Sequence, residues 1–366
     1  MKVIISGGGT GGHVFPAIAI AQELKRRNRA TEILFVGARG KMEMEKVPQA
    51  GFEIIGLDVL GFNRIALWKN FSLPLKLIKG IYQAFSILKK FKPNIVVGVG
   101  GYASGPTLFM AQRMSIPTLV QEQNSFAGKT NKLLGKRAQS VCVAYPGMER
   151  FFPKDKIIIT GNPVRQDLKD LESKKAEAAQ YFDLDQNKST VLVMGGSLGA
   201  RTLNETMAMN EATIKANPNI QWIWQYGKQG IQQYQNISLG NTGQVRSMPF
   251  IDRADLAYAI ADVILCRAGA LTISEILITK KPAVLVPSPT VAEDHQTHNA
   301  VSLNEAGAAI LIKDADARTQ AIPRIIELLN HREMIQKMRS VQELLAKPQA
   351  AETIVNEIQR ISAIAV

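Results

Sequence analysis

Three glycine-rich turns, each between an apolar run and a helical stretch, contain the residues of this sequence best suited to chemistry. They are Gly7-Gly8-Gly9-Thr10-Gly11-Gly12-His13, Gly195-Gly196-Ser197-Leu198-Gly199 and Arg267-Ala268-Gly269-Ala270-Leu271-Thr272. Glycine lets the backbone approach a ligand closely, and the N–H groups at a helix start attract anions. These turns therefore predict contacts to phosphate or diphosphate groups.

Two titratable residues accompany the turns. His13 stands at the mouth of the first loop, where it either acts on a bound molecule or makes a local hydrogen bond at the helix start. Glu275 falls in the second helical turn after the third loop, where its carboxylate either accepts ribose hydroxyls or complements the helix dipole. Both pairs of interpretations stay open from the residues alone.

Several other kinds of site are disfavoured by the sequence. An NAD site needs an acid after the second strand, but EILFVG is followed by Ala38 and Arg39. His295 and His298 lack a recognisable zinc spacing, and Asp314-Ala315-Asp316 predicts a solvated turn rather than a metal motif. We therefore expect no metal and no other cofactor.

The elements around these residues alternate between short apolar strands and helices. In the first half KVIIS, EILFVG, NIVVGVG and TLVQEQ predict strands, and the pattern restarts at Thr190 with VLVMGG, IQWIWQYG, VILCRAG and PAVLVPS. Such alternation predicts an α/β fold with two Rossmann-like domains, each on a parallel sheet. We place the first domain at 1–163 and the second at 164–347, with a C-terminal helix at 348–366 that returns to the first.

Length and charge restrict the partners. The chain has 366 residues and a net charge of +13, and residues 1–163 hold 23 Lys and Arg against 9 Asp and Glu. This one-sided charge favours an anionic partner, either a nucleic acid or an acidic lipid surface. The opening MKVIISGGG predicts no signal peptide, no stretch is suited to span a membrane, and Cys142 and Cys266 are predicted to be small buried side chains.

A basic and apolar segment before residue 92 is the predicted membrane-docking surface. Its docking residues are Ile65, Trp68, Lys69 and Phe71, in a loop without acidic residues. Apolar groups that enter the headgroup region beside basic groups are typical of interfacial segments. Further along, Ile78, Tyr82 and Phe85 at helical spacing are instead predicted to be the core face of a packed helix.

Six blocks, in order along nearly the whole chain, resemble the bacterial cell-wall glycosyltransferases that convert lipid I to lipid II. They are GGGTGGHVFPA, VGGYASGP, EQNSFAGKTNK, GNPVR, GGSLGARTLN and CRAGALTISE. The resemblance implies a GT-B fold, with two Rossmann-like domains facing across a cleft. It also implies that the second domain holds UDP-N-acetylglucosamine and the first holds the lipid acceptor.

The resemblance also implies site residues. The positions that match substrate contacts of the family are Thr10, Gly11, Gly12, Asn124, Arg165, Ser197, Phe250, Ile251, Ala270, Leu271, Thr272, Glu275 and Gln296. Among them, Asn124 and Gln296 correspond to sugar contacts, Arg165 and Ser197 to diphosphate contacts, and Glu275 to the ribose clamp.

Phe250 and Ile251 correspond to the residues that cap and read uracil. His13 is the candidate general base. Two positions depart from the pattern, since many members have His where this chain has Gln121, and some have Gln where it has His295.

The expected reaction is an inverting transfer of N-acetylglucosamine from UDP-N-acetylglucosamine to the C4 hydroxyl of the N-acetylmuramyl unit of lipid I. We expect a peripheral enzyme at the cytoplasmic face of the membrane, bound to an anionic surface and to no nucleic acid, with other cell-wall synthesis proteins as further candidate partners. The alternatives are a UDP-sugar transferase for another membrane lipid, a nucleic-acid-binding protein and a structural peripheral-membrane module.

Overall fold

The computed structural model describes residues 1–59, 73–168, 170–241, 243–291 and 294–364. The chain forms two units, one of Met1–Arg165 with Lys347–Val366 and one of Gln166–Ala346. Each unit has a parallel sheet with helices packed against it. No helix within the described ranges has both the length and the apolar character needed to cross a bilayer.

The sheet of the first unit is all parallel. In chain order its strands are β1 (Lys2–Ser6), β2 (Glu32–Ala38), β3 (Glu53–Leu57), β4 (Ile95–Gly98), β5 (Thr118–Glu122), β6 (Ser140–Val143) and β7 (Ile157–Ile159). Their spatial order is β3-β2-β1-β4-β5-β6-β7. The order reverses between β1 and β4, and in open α/β sheets ligands bind at the carboxyl ends of the strands beside such a reversal.

The helices of the first unit cover both faces of this sheet. They are α1 (Gly11–Arg27), α2 (Glu43–Gln49), α3 (Leu73–Phe91), α4 (Ser104–Arg113) and α5 (Lys129–Gly135). From the sequence we expect the first helix to begin near Pro16, but it begins at Gly11 and keeps Pro16 inside it. The glycine loop is therefore shorter than expected, and Gly11 and Gly12 belong to the first helical turn.

The second unit repeats the architecture on a sheet ordered β10-β9-β8-β11-β12-β13. Its strands are β8 (Ser189–Met194), β9 (Ile220–Gln225), β10 (Val245–Met248), β11 (Val263–Cys266), β12 (Ala283–Leu285) and β13 (Ile310–Leu311). Its helices are α6 (Lys175–Phe182), α7 (Arg201–Met209), α8 (Glu211–Lys215), α9 (Ile231–Tyr234), α10 (Ala254–Ile260), α11 (Ala270–Thr279), α12 (His295–Glu305), α13 (Ala317–Asn330) and α14 (Arg332–Leu345).

One helix expected from Thr202 to Ala216 is divided in the structure. Asn210 leaves the helical conformation between α7 and α8, with φ −101° and ψ 21°. Its side-chain amide donates to the carbonyls of Thr206 at 2.8 Å and Arg318 at 2.7 Å. Asparagine competes with helical hydrogen bonds in this way, and the expectation of a continuous helix was therefore wrong.

The last helix, α15 (Ala350–Ile364), packs on α1 of the first unit. Ile354, Ile358 and Ile361 are buried in the core that α1 shares with the sheet. Arg27 of α1 fixes the register, because its guanidinium donates to Asn356 and to the Glu352 carbonyl. The end of the chain is thus an integral part of the first unit.

Two predicted features of the apolar residues have different outcomes. Cys142 and Cys266 are buried free thiols, as predicted, and burial raises the pKa of both. The predicted core face of α3 is wrong, since Ile78 is 65% and Tyr82 70% exposed, and Phe85 is also exposed. The buried face of α3 is instead the one that carries Gly80, Ala84 and Leu88.

The predicted docking loop lies outside the described residues. It comprises Ile65, Trp68, Lys69 and Phe71, so its role stays a prediction.

Candidate active site

In the first unit, the candidate site lies at the carboxyl ends of β1 and β4. The loop after β1 meets the loop after β4, where the N–H of Gly8 donates to the carbonyl of Gly100 at 3.2 Å. These loops carry the first two blocks of the family resemblance. The topology therefore brings GGGTGGH and VGGYASGP together at the strand-order reversal.

The N–H groups of the first three loop glycines are used within the unit. Gly7 donates to the Val36 carbonyl at 3.2 Å, Gly8 to Gly100, and Gly9 to the carboxylate of Glu43 at 2.8 Å. These three N–H groups therefore hold the loop in place, and the contacts predicted at Thr10, Gly11 and Gly12 stay a prediction. The N–H groups of Gly11 and Gly12 are the donors at the start of α1. They precede the N–H of His13, which is the first to donate to a backbone carbonyl at this helix start, that of Thr10.

The buried side chain of Glu43 holds the glycine loop after β1 in place. Its carboxylate is almost completely buried and accepts the N–H of Gly9 through one oxygen and that of Ala38, at 2.9 Å, through the other. A buried carboxylate is tolerated when both oxygens accept hydrogen bonds. Glu43 therefore connects the end of β2 with the glycine loop.

His13 lies on the first turn of α1 beside both loops. Its Nδ1 is 3.1 Å from Oγ1 of Thr10, so the local hydrogen bond considered from the sequence is present. The other side of the ring faces Gly100, where an added Cβ would lie 2.9 Å from Nε2. If Nδ1 carries the proton shared with Thr10, Nε2 is the basic nitrogen. The local bond and a role as base are therefore compatible.

Asn124 belongs to a loop that Glu122 organises. The buried carboxylate of Glu122, at the end of β5, accepts the backbone and side-chain N–H groups of Asn124 at 3.0 and 3.2 Å. Its other oxygen accepts from the Gly128 N–H at 3.0 Å and the Asn131 amide at 2.9 Å. This one side chain thus holds the loop that carries Asn124 at the same sheet edge as His13.

Gln121 occupies the position where many members have His, and it is completely buried. Its amide donates to Asn162 at 3.1 Å, and Asn162 donates to the Gln123 carbonyl at 3.0 Å. These contacts join β5 to the segment that ends at Arg165, whose guanidinium lies 5.4 Å from the ring of Phe15. Gln121 therefore serves as a buried structural connection.

In the second unit, the strand ends line up at one edge of the sheet. Met194 pairs with Gln225 on one side and Cys266 on the other, while Met248 pairs with Gln225 and Leu285 with Cys266. The loops that follow these strands include Ser197, Phe250 with Ile251, and Arg267 to Gly269. The predicted donor residues thus follow strands that end level with one another.

Gln225 connects two of these loops. Its amide nitrogen donates to the Gly196 carbonyl at 2.8 Å, and its oxygen accepts the Ile251 N–H at 3.0 Å. The loop after β9 also supports the Ser197 turn, because the N–H of Lys228 donates to the Ser197 carbonyl at 3.2 Å. One buried side chain thus fixes the turn with Ser197 relative to the segment with Phe250 and Ile251.

Glu275 projects from the second turn of α11, whose first residues are Ala270, Leu271 and Thr272. The residue is 7% exposed, and its carboxylate accepts a hydrogen bond at 2.9 Å from the hydroxyl of Tyr258. The carboxylate thus has a partner inside the protein, whichever of its predicted roles it fulfils.

Asp314 lies in a partly exposed turn over residues 314–316, as predicted, and its carboxylate also has partners within the second unit. It forms an ion pair with Arg267 and accepts from the hydroxyl of Thr202 at 3.0 Å. Arg267 also donates to the carbonyls of Val286 and Pro287. Through Asp314, the loop after β11 is connected to the first turn of α7. Because Arg267 and Asp314 are 47 residues apart, the sequence gives no sign that they form a pair.

Gln296, in the first turn of α12, accepts the N–H of Ser288 at 2.9 Å. Farther along the helix, the amide of Asn299 donates to the Ala268 carbonyl at 3.4 Å. These contacts connect α12 with the loops after β12 and β11. Gln296 therefore lies beside two of the loops that follow the strand ends.

Glu43, Gln225 and Tyr258 are the residues that sequence reasoning missed. None has a local signal, because each acts on a partner distant in the sequence, 34 residues away for Glu43, 26 for Gln225 and 17 for Tyr258. Within the described residues, no group of three His, Cys, Asp or Glu side chains is arranged to hold a metal.

Family models match both units. Residues 3–143 match the glycosyltransferase family 28 N-terminal domain and residues 190–354 the corresponding C-terminal domain. The chain belongs to glycosyltransferase family 28. The family 28 assignment agrees with the resemblance carried by the six sequence blocks.

Family 28 relatives match the chain over nearly its full length. A protein of Bacteroides fragilis is 48% identical over 364 residues, 99% of this chain and 96% of the relative. One of Parabacteroides distasonis is 50% identical over 365 residues, 98% of each. Both are named UDP-N-acetylglucosamine–N-acetylmuramyl-(pentapeptide) pyrophosphoryl-undecaprenol N-acetylglucosamine transferase.

The crystal structure of Acinetobacter baumannii MurG is also similar. It is 30% identical and has a TM-score of 0.74, with 98% of this chain and 99% of that chain covered. Together with the two parallel-sheet units and the family 28 domains, this similarity confirms the predicted GT-B fold class.

Proposed function

We propose that this chain transfers N-acetylglucosamine from UDP-N-acetylglucosamine to the C4 hydroxyl of the N-acetylmuramyl unit of lipid I. The product is lipid II, the precursor used in peptidoglycan synthesis. The observation that carries the proposal is the full-length identity of 48% to 50% with transferases named for this reaction. Similarity of this extent includes both domains of the family rather than one sugar-nucleotide module.

The donor site belongs to the second unit in this proposal. Ser197, Ile251 and Glu275 are attached to loops and helices that begin at the same sheet edge. The N-termini of α7 and α11 are there as well, and helix N-termini stabilise the negative charge that grows on a departing diphosphate. Within this unit, Ser197 is the proposed side-chain contact to that diphosphate, as the family resemblance implies.

The acceptor site belongs to the first unit. A sugar hydroxyl is a poor nucleophile that must lose its proton as it attacks the anomeric carbon. His13 is the proposed base, with Thr10 fixing the ring through Nδ1. Direct attack with UDP as the leaving group inverts the anomeric centre from α to β. His13 therefore accepts the proton while the glycosidic bond forms and the bond to UDP breaks.

The outer face of α3 is the proposed membrane-docking surface. Its exposed apolar side chains are Leu75, Leu77, Ile78, Tyr82 and Phe85. Basic residues accompany them, namely Lys76, Lys79, Lys89 and Lys90. Apolar groups enter the headgroup boundary, and each Lys near an anionic surface contributes about 1 kcal/mol. We place the protein at the cytoplasmic face of the membrane, where this surface keeps it close to its lipid acceptor.

The experiment that tests the acceptor assignment is a competition. Purified protein receives UDP-N-acetylglucosamine with equal amounts of lipid I and diacylglycerol in one mixed detergent system. We expect the sugar to enter lipid I and not diacylglycerol. Transfer to diacylglycerol alone would favour the second candidate, a UDP-sugar transferase acting on another membrane lipid.

A further inference from the structure

Tyr258 and Glu275 form a buried pair that links two helices of the second unit. The phenol hydroxyl of Tyr258, on α10, donates to Oε2 of Glu275, on α11, at 2.9 Å. Tyr258 is 1% exposed and Glu275 is 7% exposed. A hydrogen bond to a carboxylate in such a position is stronger than one between neutral groups.

The hydroxyl of Tyr258 has a fixed position because the core holds its ring. Tyr258 belongs to the cluster that includes Leu192, Ile264 and Ile276, from β8, β11 and α11. The ring therefore cannot follow the carboxylate if Glu275 moves. Because the hydroxyl is attached to this rigid ring, it limits rotation of the Glu275 carboxylate about its last side-chain bond.

We propose that Tyr258 is a positioning residue for ribose recognition, because it orients the carboxylate of Glu275. The inference rests on the proposed function, in which Glu275 accepts the hydroxyls of the donor's ribose. A carboxylate accepts two adjacent hydroxyls well only in one orientation of its plane. With Oε2 held by Tyr258, the carboxylate is presented to the ribose in a defined geometry.

The hydroxyl rather than the ring is the decisive part of Tyr258. Phenylalanine fills the same volume in the core and lacks only the donor. Removal of the donor leaves the carboxylate buried with one fewer hydrogen bond and with more rotational freedom. The expected effect therefore concerns recognition of the ribose hydroxyls and not the general affinity for a diphosphate.

The test compares UDP with 2′-deoxyuridine diphosphate by calorimetric titration of the full-length protein. We expect the wild type to bind UDP roughly tenfold more tightly than the deoxy ligand, the difference of one charge-assisted hydrogen bond. In Glu275→Ala and Tyr258→Phe this ratio should fall towards one. Tyr234→Phe is the matched control, because Tyr234 is a buried tyrosine that packs on Trp224 in the other core of the unit.

The outcomes separate the inference from the function on which it rests. If Glu275→Ala loses the ratio and Tyr258→Phe keeps it, Tyr258 has no positioning role while the Glu275 assignment stands. If Glu275→Ala also keeps the ratio, the ribose role of Glu275 fails and the inference fails with it. A general loss of fold would weaken both ligands equally and leave their ratio unchanged, which also counts against positioning.

Discussion

Glu43 accepts the N–H of Gly9 at 2.8 Å, so a buried acid lies directly beneath the first glycine loop. The same carboxylate accepts the N–H of Ala38, and the loop is consequently attached to the end of β2. The glycines nearest the sheet thus shape the loop, while the helix start at Gly11 and Gly12 supplies donors farther along.

Glu43→Gln tests this arrangement. The amide has nearly the same shape, but its NH₂ group would face a backbone N–H donor. We expect the free energy of unfolding of the first unit to fall by about 1.5 to 3 kcal/mol, the value of a charge-assisted bond. Acceptor KM should rise as well. Urea unfolding and acceptor titrations measure the two effects.

Glu45→Gln is the control for Glu43, because Glu45 is on the same helix with its side chain 55% exposed. It should resemble the wild type. If Glu43→Gln also resembles the wild type in both measurements, the proposed support of the loop is wrong.

The role of His13 predicts a loss of turnover without a loss of donor binding. His13→Ala should lower kcat roughly 10²- to 10⁴-fold, the usual contribution of a positioned base. Gly100→Ala should lower kcat in the same direction, because its Cβ would lie 2.9 Å from Nε2 of His13 and its φ of +92° disfavours a side chain.

Gly105→Ala on α4 is the control, since an added Cβ there meets only Thr130 at an ordinary 3.5 Å. UDP affinity is measured alongside turnover. A collapse of UDP affinity with surviving turnover in His13→Ala would contradict the assignment of His13 as base.

The overall fold follows from local patterns in the sequence. Alternation of short apolar strands with helices predicts two parallel sheets, because the hydrophobic period and the length of each segment can be determined from neighbouring residues. Helix ends are harder to predict, because side chains can compete for the hydrogen bonds of the helical backbone. The Asn210 amide does so when it donates to the Thr206 carbonyl. The face of α3 was misread because Ile78 and Tyr82 have helical spacing whether they face a core or the outside.

The residues that support the site could not be predicted from the sequence, for another physical reason. The glycine turns and Glu275 can be recognised in the sequence from their residue types and from their position after a strand. By contrast, Gln225 and Asp314 act through partners brought close only by the sheet topology. A sequence without its fold contains no sign that these residues share a site.

Gln225→Leu should weaken donor binding selectively. Leucine has a similar volume, but it leaves the Ile251 N–H and the Gly196 carbonyl without their present partner. We expect donor KM to rise roughly tenfold, with acceptor KM unchanged.

Gln244→Leu is the matched control, because Gln244 donates to carbonyls of Ile214, Asn217 and Ile220, at the opposite end of β9. It should lower stability without changing donor KM. Equal donor KM values in the two variants would contradict a specific role for Gln225.

Lys281 predicts a pH dependence of stability. Burial lowers its pKa from 10.5 to about 8, while its ammonium donates to the Ala261 carbonyl at 2.7 Å. Between pH 8 and 10.5 the unfolded chain therefore binds more protons than the folded one, so stability attributable to this residue rises with pH.

Lys281→Met removes this titration. The free energy of unfolding of the wild type minus that of the variant should increase by about 3 kcal/mol between pH 8 and 10.5. Guanidinium unfolding at several pH values measures it. Parallel stability curves for the two proteins would show that the buried ammonium does not titrate as described.

The outer face of α3 predicts charge-dependent membrane binding. Ile78→Glu with Tyr82→Glu should abolish most co-sedimentation with anionic vesicles, because both exposed apolar groups become acidic. High salt should weaken wild-type binding. Leu344→Glu is the control, because Leu344 is an exposed apolar residue on α14 of the second unit. Binding indifferent to lipid charge, or unaffected by the double substitution, would rule out this docking surface.

Transfer of the sugar to lipid I is tested by following both products of one reaction. Purified protein is incubated with UDP-N-acetylglucosamine and lipid I, and the lipid is analysed by mass spectrometry and by NMR of the new linkage. We expect lipid I to gain one N-acetylhexosamine in β linkage to the C4 hydroxyl, with one UDP released per transfer. Release of UDP without glycosylated lipid I, or a product with an α linkage, would contradict it.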